Sequence, residues 1–154
     1  MSFYSETDQK AFDIFSGEIH AKNPNIRMKR TPDGTRHDVI VNDNIAVEIK
    51  TRLDLCAKTI KTFRGKNEED DLRGCVILNN GKLNYLKNLT GFEKVFIAYI
   101  VRDVYYIINV NDVKVRAIKP YKVKTPDTGE YRTEICAIVD ITGEKEYQRL
   151  TNIQ

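Results

Sequence analysis

The sequence predicts a single α/β (α+β) domain with a mixed central sheet flanked by helices. Three observations predict it. The length of 154 residues suits one domain with its own core. Apolar residues recur at helical spacing near the start of the chain. Beyond it, short alternating or apolar runs bounded by turn residues read as strands, with helical segments between them.

Ser5 and Asp8 resemble a helix capping box, and Ala11, Phe12, Ile14, Phe15 and Ile19 follow at helical spacing. A helix is expected from about Glu6 to Ser16. Ile26–Met28 reads as a short strand and Thr31-Pro32-Asp33-Gly34 as a turn. Strands are expected at His37–Val41 and Ile45–Lys50. Leu53, Ala57, Ile60 and Phe63 suggest a second helix, and Asn67–Asp71 a polar loop. Leu83, Leu86 and Leu89 mark a short helix after Asn79-Asn80-Gly81. Lys94–Val101 and Val104–Val110 read as strands joined near Arg102-Asp103. Pro120 is expected to break the next segment, ahead of a hairpin formed by Tyr121–Lys124 and Tyr131–Val139 around Pro126-Asp127. No repeat or linker divides residues 1–154. The core is expected over about 6–110, with 111–154 as an accessory hairpin and tail.

Composition narrows the function classes. Apolar residues make up 41% and charged residues 31%, as in soluble globular proteins. No run approaches the roughly 20 apolar residues of a membrane span. The first residues lack the basic and apolar regions of a signal peptide, so an intracellular, cytoplasmic protein is expected. Cys56, Cys75 and Cys136 are odd in number and widely spaced, which argues against a disulfide framework or a zinc site. The net charge of +3 identifies no partner, but the basic residues cluster. Lys22, Arg27, Lys29, Arg30 and Arg36 face a single acid, Asp33. Further clusters are Lys58, Lys61, Arg64 and Lys66, and Lys114, Arg116, Lys119, Lys122 and Lys124. Such patches suit a polyanion, although each alone also fits a solvated face.

The informative segment runs from Arg36 to Lys50. Side chains alternate across a strand, so Glu48 and Lys50 share a face. A two-residue loop at Asp43-Asn44 would set Asp38 opposite Ile49 and mix charged with apolar side chains. A three-residue loop, Asn42-Asp43-Asn44, sets Asp38 opposite Glu48 and gathers Val39, Val41, Ile45, Val47 and Ile49 on one apolar face. Burial selects the second register, with Asn44 as the expected left-handed residue. Asp38 and Glu48 then lie side by side with Lys50 adjacent. Like charges about 4 Å apart repel by roughly 4 kcal/mol at an effective dielectric near 20. A divalent cation would reverse that sign, and paired carboxylates suit Mg²⁺ or Mn²⁺. Such an ion activates water and stabilises a leaving oxygen, and Lys50 is placed to position the water or balance charge. The plainer alternative is a surface ion cluster on a solvated sheet face.

Asp38 and Glu48-Ile49-Lys50, with nine residues between Asp38 and Glu48, resemble the signature of the PD-(D/E)XK nucleases. His37 stands where the motif's name has Pro. The segment Asn80-Gly81-Lys82-Leu83-Asn84-Tyr85-Leu86 resembles the helix that follows this family's core hairpin. The resemblance covers about Glu6 to Val110. It implies a restriction-endonuclease-like core and a Mg²⁺- or Mn²⁺-dependent endonuclease hydrolysing DNA phosphodiesters. Asp38, Glu48 and Lys50 would be catalytic, with the metal held by Asp38, Glu48 and a helix acid, Glu6 ahead of Glu18. Lys29, Arg30, Arg36, Arg52 and Lys82 are the expected nucleic-acid contacts. Tyr85, Tyr105 and Tyr106 are either stacking platforms or core. Cutting both strands of a duplex implies a homodimer or homotetramer. An RNA nuclease of the same fold and a non-catalytic nucleic-acid-binding or assembly protein are the alternatives.

Overall fold

The computed structural model describes residues 6–31, 38–65, 71–124 and 128–150, with side chains from Gln9 onward. Ser5, Arg36, His37, the Pro32–Gly34 turn, the loop around Asn67 and the Pro126–Asp127 tip lie outside the described residues, as does the side chain of Glu6.

The architecture is mixed α+β. In chain order the elements are α1 (Glu6–Lys22), β1 (Met28–Arg30), β2 (Val39–Val41), β3 (Ile45–Arg52), α2 (Ala57–Thr62), β4 (Cys75–Asn79), α3 (Asn80–Lys87), β5 (Lys94–Val101) and β6 (Val104–Asn109). A single 3-10 turn at Val110–Asp112 leads into β7 (Lys114–Lys124), β8 (Tyr131–Asp140) and β9 (Tyr147–Gln148). Six strands form one sheet in the order β1-β2-β3-β5-β6-β9, and three form a second in the order β4-β8-β7. β3 runs antiparallel to β2 and parallel to β5. The crossover between β3 and β5 carries α2, β4 and α3.

Each face of the larger sheet buries its own core. On one face Val39, Val41, Val47 and Ile49 meet Ala11, Ile14 and Phe15 of α1. On the other, Ala46, Ile97, Tyr99, Tyr106 and Ile108 meet Val76 and Leu78 of β4, Ala137 and Val139 of β8, and Leu83 and Leu86 of α3. β3 is shared between them: Val47 and Ile49 face α1, while Ala46 faces the second layer. Among the described residues no helix is long and apolar enough to cross a membrane.

The hairpin register is the expected one. Val39 pairs with Val47 and Val41 with Ile45, closed by the three residues Asn42, Asp43 and Asn44. The left-handed residues are Asn42 (φ 49°) and Asp43 (φ 66°), not Asn44. Arg27 explains this. Its backbone N–H donates to Asn42 Oδ1 (3.0 Å), and its guanidinium pairs with Asp43 (2.8 Å). Asn and Asp also tolerate this conformation better than most side chains.

Other boundaries differ from expectation. α1 continues past Gly17 to Lys22 because Glu18 and Ile19 still face inward, and the chain stops it only at Pro24. β4 was not anticipated, although Cys75-Val76-Ile77-Leu78 is an apolar run bounded by Gly74 and Asn79. Pro120 does not break the chain. It pairs with Ile135 within β7, which is an edge strand and can spare an N–H. The hairpin after Asp112 is no appendage: β8 lies between β4 and β7, and β9 pairs with β6.

Candidate functional site

The ladder between β2 and β3 ends at Val39, and Asp38 sits one step beyond it, against Glu48. The Asp38 N–H donates to the Val47 carbonyl (2.9 Å). Its Oδ2 accepts from the Ile49 N–H (2.7 Å). The carboxylate therefore stands in for the missing β2 partner, which fixes its orientation toward β3. Glu48 emerges from the second face of the sheet and is only 7% exposed. It borders a cleft of about 530 Å³, lined by Lys50, Asn79, Lys82, Arg132 and Glu134 over a base that includes Leu83 and Ile97.

Two walls enclose this cleft. α3 forms one, with its first turn capped by Asn79 Oδ1 accepting from the Lys82 N–H (2.9 Å). The cap begins the helix directly after β4 and turns Lys82 inward, where its Nζ meets Glu48 Oε1 at 2.8 Å. β8 forms the other wall. There Arg132 pairs with Glu134 (2.7 Å), and Asn79 Nδ2 donates to Glu134 (3.3 Å).

The electrostatics follow from this enclosure. Burial first, and the Asp38 charge second, push the Glu48 carboxyl up to about 7, against the opposing pull of Lys82. Glu48 Oε2 is buried and has no hydrogen-bond partner among the described residues. An orphaned oxygen of this kind is costly unless a proton or a cation meets it. Partial withdrawal from water, then Arg52 and Lys82, hold the Lys50 ammonium below its ordinary value, although Lys50 remains exposed to the cleft.

The carboxylate pair suits a divalent cation. One oxygen of Glu48 has no donor among the described residues, Asp38 is held beside it, and both are hard oxygen ligands. Among the described residues no group of three or more His, Cys, Asp or Glu side chains is placed to hold a metal. A Mg²⁺ site built on one or two carboxylates retains several waters, so two acids satisfy its protein share.

The structure thus brings Asp38, Glu48, Lys50 and Lys82 together and separates other expected residues from them. Glu18 is excluded as the helix acid. It is 1% exposed, its Oε1 faces Arg149 Nε (3.4 Å), and its Oε2 accepts from the Leu150 N–H (2.8 Å). α1 packs on the face of the sheet opposite Glu48, and near its start Arg30 Nη1 donates to Gln9 Oε1 (2.5 Å). Arg30 pairs with Val39, the neighbour of Asp38, so the start of α1 lies near that end of β2, across the sheet from Glu48.

Arg30 itself lies against the Phe12 ring and is committed to α1 rather than offered to a ligand. Arg52 is held by Asp54 through two hydrogen bonds (3.0 and 2.9 Å). Lys29 is exposed on β1, two strands away from β3. Tyr105 and Tyr106 are core, both 2% exposed, and Tyr105 stacks on Tyr147. Lys82 is neither a free helix lysine nor a bare phosphate contact, because it pairs with Glu48. Arg132 and Glu134 escaped the sequence reading: they reach the cleft only because β8 pairs with β4, a contact that local pattern does not signal.

No family model matches the chain, and neither the curated proteins nor the solved structures compared with it give a significant match.

Proposed function

We propose that the chain is a metal-dependent nuclease of the PD-(D/E)XK type that hydrolyses DNA phosphodiesters with Mg²⁺ or Mn²⁺. The observation that carries this reading is the buried Glu48 Oε2 beside Asp38, which has no hydrogen-bond partner among the described residues, in a cleft also lined by Lys50, Lys82 and Arg132. The order of elements supports it: α1, the strands β1 to β3, then α3 leading into β5 parallel to β3, with α2 and β4 as additions. Asp38 and Glu48 would hold the cation, with Glu6 as the further acid from α1. Bound there, the ion would polarise a phosphoryl oxygen and acidify a water. Lys50, its ammonium held below the ordinary value, is suited to orient that water and to exchange a proton with it. Arg132 and Lys82 supply positive charge on opposite walls for the phosphate.

The test is incubation of supercoiled plasmid with the purified protein and Mg²⁺ or Mn²⁺, with and without EDTA, beside a structured RNA. Cleavage of the plasmid that EDTA abolishes is the expected result. Intact plasmid with cut RNA would move the substrate to RNA, and no cleavage of either would end the hydrolytic reading. The three cysteines are free thiols, which supports a reducing intracellular setting.

The same reading includes a homodimer or a dimer of dimers. The β7–β8 hairpin supports it, exposing Ile118 (56%), Ile135 (51%) and Tyr131 (68%) together with several lysines. Light scattering at micromolar concentration should give twice or four times the monomer mass, and Ile118→Lys with Ile135→Lys should return it to monomer. A wild-type monomer, with and without DNA, would remove the assembly and leave the site untouched.

A further inference from the structure

We propose that Lys82 is an exchangeable counter-ion: it neutralises Glu48 in the metal-free protein and passes to a substrate phosphate once a divalent cation takes its place. This rests on the nuclease reading above and adds regulation of the same site. The geometry supports it at both ends of the exchange.

At the first end, Lys82 Nζ lies 2.8 Å from Glu48 Oε1. That oxygen belongs to the carboxylate whose other oxygen has no donor among the described residues. A cation bound between Asp38 and Glu48 would claim Glu48's charge, and two positive charges on one buried carboxylate repel. At the other end, Lys82 has somewhere to go. Its side chain is 45% exposed where Glu48's is 9% exposed, so the ammonium already borders open cleft. The backbone beneath it is anchored by the Asn79 cap, so a change of side-chain rotamer suffices and α3 need not move. Arg132 faces the same space from β8, completing a pair of cations that a phosphate could bridge.

The arrangement has two consequences. The empty acid pair does not carry its full charge into solution, since one carboxylate is already neutralised. Metal and phosphate binding also become coupled, because the group released by one is the group that holds the other.

Mn²⁺ binding to the full chain, followed by electron paramagnetic resonance of the free ion, tests the first step. Lys82→Ala should bind Mn²⁺ more tightly than wild type by roughly tenfold, the worth of one charge-assisted hydrogen bond removed from the competing state, and Lys82→Gln by a smaller factor in the same direction. Lys82→Gln keeps a donor for Oε1, so the fold retains its contact. Arg132→Ala removes a cleft cation that does not touch Glu48 and should change Mn²⁺ affinity far less. Fluorescence anisotropy with a phosphorothioate duplex tests the second step. Mn²⁺ should strengthen duplex binding by wild type and do so several-fold less in both Lys82 variants. A rise in metal affinity with a fall in metal-dependent DNA affinity is a pattern that general loss of structure does not produce. Equal Mn²⁺ affinity in wild type and the Lys82 variants, or an equal gain from Arg132→Ala, would overturn the exchange alone. No Mn²⁺ binding by wild type or variants would overturn the metal site and the exchange with it.

Discussion

Asp38→Asn is expected to lower plasmid cleavage by at least about a thousandfold, because on the proposed nuclease reading it would remove one of the anionic ligands of an ion worth several kcal/mol of transition-state stabilisation. Asparagine is the appropriate substitution here. Asp38 Oδ2 accepts the Ile49 N–H, and Ile49 is buried. Alanine would leave that donor unpaired at a cost of about 1–3 kcal/mol, so lost activity could be confused with lost structure. Asparagine retains an acceptor oxygen at the same place and removes only the charge. Circular dichroism and the unfolding midpoint should therefore stay close to wild type while cleavage disappears. Wild-type cleavage by a folded Asp38→Asn protein would remove Asp38 from the site.

The second large effect concerns stability and pH. The folded-state pKa of Glu48 is raised from 4.5 to about 7, chiefly by burial and then by Asp38. The folded protein consequently binds this proton more tightly than the unfolded chain does. The stabilisation it gives is complete below pH 4.5 and is lost as pH rises through 7. Above that, wild type carries the penalty of a buried charge. Glu48→Gln abolishes the titration, and its carbonyl can still accept from Lys82. In the presence of EDTA the variant should match wild type near pH 4.5 and exceed it by roughly 3 kcal/mol at pH 8, at 1.36 kcal/mol per tenfold change in proton affinity. Urea denaturation at the two pH values measures both gaps. A gap of the same size at both would show that Glu48 ionisation is not its source. The variant should be more stable and inactive together, as expected where a site stores unfavourable electrostatics for its ligand.

Much of this site was legible before any coordinates. The apolar alternation of Val39, Val41, Ile45, Val47 and Ile49 admits one register, and that register alone sets Asp38 beside Glu48. The helix after Asn79 was legible for a similar reason, in the helical spacing of Leu83 and Leu86, and the structure adds the Asn79 cap that starts it. What escaped was non-local. The pairing of Lys82 with Glu48 depends on α3 crossing the sheet at one particular place. Arg132 and Glu134 depend on β8 crossing to β4. The sequence ranks Glu6 only narrowly ahead of Glu18, and burial sets Glu18 aside because the end of α1 is tied to Arg149. Pro120 misled because a proline's effect depends on which edge of a sheet it occupies, and the sequence does not mark edges.

The pairing of β4 with β8 also bears on how the protein is made. Val76 meets Val139 and Leu78 meets Ala137, so one wall of the cleft must wait on the ribosome for a partner made well after it. Until then the acid pair can form on its hairpin, facing an apolar surface that nothing covers. A nascent chain halted before Tyr131 would hold Asp38, Glu48 and Lys50 in register yet lack the groove between them and Arg132. Pairing of β8 with β4 thus converts a cluster of charged residues into a walled cleft, and a chain stopped before β8 would leave the apolar side of β4 uncovered.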